Sequence, residues 1–401
     1  MHEALIDAIC STGWDRPSRA TPETARAAQV PPDDFLLACI TGDAATVRAL
    51  ITPALATSPI GPRDWPPLLY VAFSRAPRHA DLADVARVLL AHGADPSSQY
   101  VVRDPDGEAS RFTALYAAIA VSDNPALVTT LLDAGADPND GQSLYHAAER
   151  FETAILDQLH ARGLDSADIS YCLLHKLDIL HADGIRWFLD HGADPNVRHP
   201  AAGETALHWA IKRAAPRSII ELLLARGADP SAATTHGHTA FPEIRATTPI
   251  DLALRLGRVD LAEAISAAGG MQSPTTATDE LVLGCIAGRV TITPAQRDAL
   301  PAADRALLTH LCQQDQTEAA LRLLALGWPL DVPGWMGVLP LHWAACRGNA
   351  HLTRALLAAG APQTDLGGYF TTPIHTAHRH RWALATSSPD YPAVIAALEA
   401  A

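Results

Sequence analysis

The sequence predicts an all-α solenoid of about nine to ten stacked helix-turn-helix repeats joined by hairpin loops. Three observations carry this. The phrase Gly-Ala-Asp-Pro occurs four times, beginning at Gly93, Gly135, Gly192 and Gly227, each time after an apolar run such as Val88, Leu89 and Leu90. A second phrase lies between copies of the first. It reads Thr205-Ala206-Leu207-His208-Trp209-Ala210, then Leu339-Pro340-Leu341-His342-Trp343-Ala344, then Thr372-Pro373-Ile374-His375-Thr376-Ala377. Finally, 48% of the residues are hydrophobic but only 5% aromatic, which suits short helices in close contact.

Each letter has a physical task. Thr caps the first helix through its hydroxyl, and Pro at the first helical position gives up an N–H that has no partner there. Leu enters the core, and Ala lets the next repeat come near. The Gly of Gly-Ala-Asp ends the second helix in a left-handed turn. A single unit cannot hide its own apolar face, so neighbouring units must stack.

These phrases resemble the ankyrin repeat, whose unit of about 33 residues carries T-P-L-H-x-A. The resemblance implies stacked helix pairs and a protein-binding role. With degenerate turns such as Gly163-Leu164-Asp165 included, neighbouring copies in the first array lie roughly 30 to 40 residues apart. Residues 1–31 carry no repeat and read as an N-terminal cap or flexible segment: a short capping helix at 6–9, then a loop over 16–31. Residues 32–270 read as a first array of about seven repeats. The first holds Phe35, Leu36 and Leu37, and the second Pro67, Leu68 and Leu69. The third to sixth start near Thr113, Ser143, Cys172 and Thr205, and the seventh near Thr248. The polar stretch 271–278 reads as a linker. Residues 279–401 read as a second, capped array of about three repeats. It begins as the first does, with Leu281-Val282-Leu283-Gly284-Cys285 echoing Phe35-Leu36-Leu37-Ala38-Cys39. Its Leu326-Gly327-Trp328-Pro329 turn followed by Leu341-His342-Trp343-Ala344-Ala345 resembles a C-terminal module of large bacterial ankyrin proteins. Insertions at 100–111 and 235–247 are expected to project from hairpin tips.

Net charge is −14, with no dense basic cluster, which argues against nucleic acid and membrane and favours a neutral or basic protein partner. The N-terminus lacks a basic region and a long apolar run, so no secretory signal is expected. The six scattered cysteines read as buried thiols in a cytoplasmic protein, with secretion as an effector left open. His146, His175, His208, His342 and His375 share one phrase position, where the resemblance implies hydrogen bonds between neighbouring loops. His375, His378 and His380 are close in sequence, but no further zinc ligand is signalled. No phosphate loop, nucleophile elbow or catalytic constellation is present, so an enzyme is not expected. No cofactor and no metal is expected.

A partner would meet the hairpin tips and inner helices. By register these carry Trp335, Met336, Val338, Tyr369 and Phe370 at the tips, and Arg347, Arg379, His380 and Trp382 on or beyond the inner helices. Aromatics beside arginine, in an aromatic-poor chain, have the composition of a binding hot spot. Glu204, Lys212 and Arg213 form a secondary candidate patch. The expected function is a scaffold or inhibitor that holds a protein on its concave face. The alternatives are a ligand- or metal-responsive sensor on the same solenoid, or a bacterial effector or immunity protein.

Overall fold

The structure is a computed structural model that describes residues 10, 34–76, 79–103, 107, 109–200, 203–235, 247–368, 370–379 and 389–401. The expected N-terminal cap and loop lie outside these residues, apart from Cys10. The chain divides into two compact units, Met1–Cys172 and Leu173–Ala401. The break expected at 271–278 falls inside the second unit.

In the first unit the helices come in pairs. They are α1 (Phe35–Thr41) and α2 (Ala44–Leu50), a short α3 (Pro53–Thr57), then α4 (Pro67–Ala72) with α5 (His79–Ala91). After a β-hairpin follow α6 (Ala114–Ala120) with α7 (Pro125–Asp133), α8 (Ser143–Ala147) with α9 (Ala154–His160), and α10 (Ser166–Leu177), within which the units divide. First helices α1, α4, α6 and α8 pack in one row, and α2, α5, α7 and α9 in a second. Between the rows, Leu69, Val71, Leu89, Leu115, Leu127 and Leu131 are buried. The starts are set by side-chain caps: Asp34 accepts from Leu37 N (2.9 Å), Thr113 from Tyr116 N (3.0 Å) and Asn124 from Leu127 N (3.1 Å).

The Gly-Ala-Asp-Pro turn is built alike in all four copies. Gly93, Gly135, Gly192 and Gly227 have φ of 97°, 95°, 93° and 92°. A Cβ added at Gly135, Gly192 or Gly227 would meet nothing within 4 Å, so the left-handed backbone requires glycine there, not crowding. The alanine that follows is buried each time. Each aspartate closes a turn on the N–H two residues on, Asp95 to Ser97 (2.9 Å), Asp137 to Asn139 (2.9 Å), Asp194 to Asn196 (2.8 Å) and Asp229 to Ser231 (2.8 Å). Asn139 and Asn196 then reach the next repeat: their Nδ2 atoms donate to the carbonyls of Gly163 (3.0 Å) and Gly227 (2.9 Å). Their Oδ1 atoms accept from Asp165 N (2.9 Å) and Asp229 N (2.7 Å).

The insertion at 100–111 brings the two strands of the otherwise helical described residues. Its described residues form an antiparallel hairpin, β1 (Gln99–Arg103) and β2 (Ala109–Thr113), with Tyr100 opposite Phe112. Tyr, Val and Phe favour strand, and the intervening Asp-Pro-Asp-Gly of the sequence is a turn signal.

The second unit continues with α11 (Ala182–Asp190), α12 (Ala206–Lys212), α13 (Arg217–Ala225), α14 (Pro249–Arg255) and α15 (Val259–Ala267). Next come α16 (Ala277–Ile286), the short α17 (Pro294–Asp298) and α18 (Ala302–Arg305), then α19 (Leu307–Gln313) and α20 (Thr317–Ala325). A 3-10 turn (Trp335–Gly337) precedes α21 (Pro340–Cys346), α22 (Ala350–Ala358), α23 (Pro373–Arg379) and α24 (Tyr391–Glu399). Here α19, α21 and α23 form one row, and α20, α22 and α24 the other. One apolar core runs from Val282 to Leu398.

The end of the expected linker is helical. Thr276 caps α16 reciprocally with Asp279, so residues 277–278 are its first turn. Nor does α16 repeat the role of α1: it packs on α14 and α20, and a loop with two single-turn helices follows it in place of an antiparallel mate. Of the insertion 235–247, residues 236–246 lie outside the described residues; its ends are tied by Thr234 N to Thr247 O (3.0 Å) and Thr247 N to Thr234 Oγ1 (2.9 Å). Among the described residues no helix is long and apolar enough to cross a membrane. All six cysteines are buried thiols.

Candidate functional site

The second unit brings two separately expected patches together. One begins on α12. Thr205 caps this helix, and His208 bonds back to it, its Nδ1 2.9 Å from Thr205 Oγ1. The opposite ring nitrogen, Nε2, donates to the carbonyl of Thr247 at 3.0 Å, tying α12 to the start of the next helix pair. Burial holds the His208 pKa down at about 4, so the ring is neutral near pH 7. His342 makes the same kind of bridge, its Nε2 3.0 Å from the carbonyls of Thr364 and Thr371. At His146, Nδ1 faces Glu149 at 3.1 Å.

Two turns of α12 present a charged and aromatic group. Trp209 lies flat on His199, ring centroids 4.8 Å apart and 14° from parallel. Its Nε1 donates to Asp178 Oδ1 (2.7 Å), which also accepts from Arg213 Nε (2.6 Å). Burial would raise the Asp178 pKa, but the His175 hydrogen bond, the Arg213 charge and the Trp209 donor outweigh it and hold it low.

The second patch is the hairpin before α21. Trp335 stacks on Trp343, centroids 6.1 Å apart and 18° from parallel. The Arg213 guanidinium carbon stands 3.8 Å from the centre of the Trp335 ring, an arginine–aromatic stack. Behind it, Gln314 Nε2 donates to the carbonyls of Ile211 and Lys212, 3.0 Å each. Both carbonyls belong to the last turn of α12, and that of Ile211 also accepts from Ala214 N (3.1 Å). Met336, in a left-handed conformation (φ 58°), stands beside this stack with 50% of its surface exposed.

Several expected contact residues do no surface work. Val338 is fully buried, because the turn swings it into the core beneath α21. Phe370 is 4% exposed and packs on Trp343, centroids 5.1 Å apart. Arg347 is buried too; its Nε donates to the carbonyl of Gln313 (2.7 Å) and so serves the stacking of α21 on α19. Glu204 and Lys212 are not free polar positions but a buried ion pair, with the ammonium 4.7 Å over the Trp209 ring. Burial lowers the Lys212 pKa to about 8 against the pull of Glu204. Tyr369, His380, Trp382 and the side chain of Arg379 lie outside the described residues. His375 and His378 are exposed, and among the described residues no three His, Cys, Asp or Glu side chains are grouped to hold a metal.

The first unit holds a feature the sequence reading missed. Trp65, Tyr100, Phe112, Tyr116 and His146 form a row with ring centroids 4.8, 5.1, 5.2 and 5.1 Å apart in turn. The β-hairpin supplies Tyr100 and Phe112 as a cross-strand pair. The available signal was Tyr116, which follows Thr113-Ala114-Leu115 in the place that histidine takes in the repeat phrase.

Two family models match the chain: one described as ankyrin repeats (many copies) over residues 174–224, the other as ankyrin repeat over residues 336–366. No curated protein matches it. The matched segments hold the Gly192 turn and the loop-bridging His208 and His342 described above, and ankyrin repeats are modules of protein–protein interaction. Paired helices in two rows, the recurrent capped phrase and both matches agree: the chain is an ankyrin-repeat protein.

Proposed function

We propose that this chain is a non-catalytic scaffold or inhibitor that holds a neutral or basic protein, and that the partner docks on Trp335, Met336 and Arg213. The observation that carries this is the Arg213–Trp335 stack with exposed Met336 beside it. Such a group offers rigid aromatic area at small entropic cost, together with a guanidinium already oriented by Asp178. The net charge of −14 supports a partner that is not acidic.

Comparative affinity capture tests the reading. Full-length wild type, Met336→Asp, Trp335→Ala and a control, Phe151→Asp, are used as baits under identical conditions. Phe151 is also exposed, at 59%, but belongs to the first unit. The reading expects one partner, held by wild type and by the Phe151 variant, to be lost from both second-unit variants. Retention of that partner by Met336→Asp and Trp335→Ala, or its loss with Phe151→Asp alone, contradicts it.

A further inference from the structure

Regular stacking of helix pairs is interrupted where α14, residues 272–276, α16, α18 and α19 meet, and a cavity of about 160 Å³ remains there. Its apolar walls are Leu252 of α14, Leu256 just past the end of that helix, Leu283 of α16 and Leu307 of α19. A leucine-lined cavity of this size holds one small ring. The polar side is acidic. Arg255 reaches from α14 to Asp279 of α16 and Asp304 of α18, and pairs with both. Asp251 also lines the space; it is bound by Thr248 and by Ser273 N at 3.1 Å. Three carboxylates and one guanidinium therefore line the space. His310 adds no charge to this wall near pH 7, because burial holds its pKa at about 4.

We propose that this cavity is a binding site for a small organic ammonium ion, its apolar body among the four leucines and its cationic end on Asp279 and Asp304. The surplus of negative charge disfavours carboxylates of the same shape, and a neutral isostere forfeits the charge pairing. The site shares no lining residue with the protein-docking surface.

Benzylamine is the probe, with benzyl alcohol as neutral isostere and benzoate as anionic one, titrated calorimetrically into the full chain at pH 7. The expected result is one saturable benzylamine site per chain, about tenfold tighter than benzyl alcohol, with no benzoate binding. Ala303 forms part of the rim and is only half-buried, so Ala303→Leu fills the cavity with little risk to folding. It should abolish benzylamine binding while the circular dichroism is unchanged. Nuclear Overhauser contacts from the benzyl ring to leucine methyl groups of wild type locate the ligand without any substitution. Absence of saturable benzylamine binding, equal binding of benzoate, binding unchanged in folded Ala303→Leu, or no ring-to-leucine contact would each overturn the proposal.

Discussion

At the scale of single residues, charge buried beside aromatic rings governs the outcome. Lys212 and Glu204 pair with each other in the interior, and the ammonium lies over the Trp209 face. Lys212→Ala leaves a carboxylate buried without its cation, at an expected cost of about 3–5 kcal/mol in urea denaturation. Glu204→Gln with Lys212→Met, which removes both charges, should cost clearly less. A double variant as unstable as the single one would show that the pair does not carry this cost. Arg213 and Trp335 are expected to couple by about 1 kcal/mol in a double-mutant cycle, whereas exposed Met336→Asp should change stability by less than about 0.5 kcal/mol. Trp335 and Met336 could be proposed from the sequence because aromatics are scarce in this chain, whereas the stacking of Arg213, from a separate candidate patch, on Trp335 could not. The burial of Val338, Phe370, Arg347, Glu204 and Lys212 could not be read either, because it depends on where the hairpin before α21 turns and on the buried pair that Glu204 and Lys212 make, which no spacing reveals.

At the scale of elements, the Gly-Ala-Asp-Pro turn is the most repeated device. Its glycine is required by backbone angle alone, so Gly227→Ala, at φ 92°, should cost about 1–2 kcal/mol. Asn196→Ala should cost a similar amount, since it removes both bonds to the next turn. Urea midpoints of the two variants check this, and a midpoint equal to wild type for Asn196→Ala would show that the bridge adds nothing. Helix starts and these turns could be read in advance because caps and left-handed glycines are local. The β-hairpin was missed because its strand residues, Tyr100, Val101 and Val102, are few and sit inside a helical pattern. The role of α16 was misread for a different reason: its sequence echoes α1, but its packing partners are set by the chain around it.

At the scale of the whole molecule, stability should depend on acid. His208 and His310 have folded pKa values near 4, below the ordinary 6.5 of an unfolded chain. The unfolded chain therefore binds protons first as pH falls through 6.5. The stabilisation from keeping the rings neutral is fully present above that pH and is lost progressively towards 4. Between pH 7 and pH 5 the loss should be about 2 kcal/mol per histidine, read as a falling urea midpoint by tryptophan fluorescence. His208→Asn should flatten part of that slope; an unchanged slope would contradict the assignment.

Site-directed photo-crosslinking tests the central claim most directly. A benzophenone amino acid is placed at Met336 in one chain and at Phe151 in another, and each is irradiated with the partner recovered by capture. The account requires a covalent adduct from position 336 that is lost when Trp335 is changed to Ala. Adducts from position 151 alone, or an adduct at 336 indifferent to Trp335, would place the partner elsewhere.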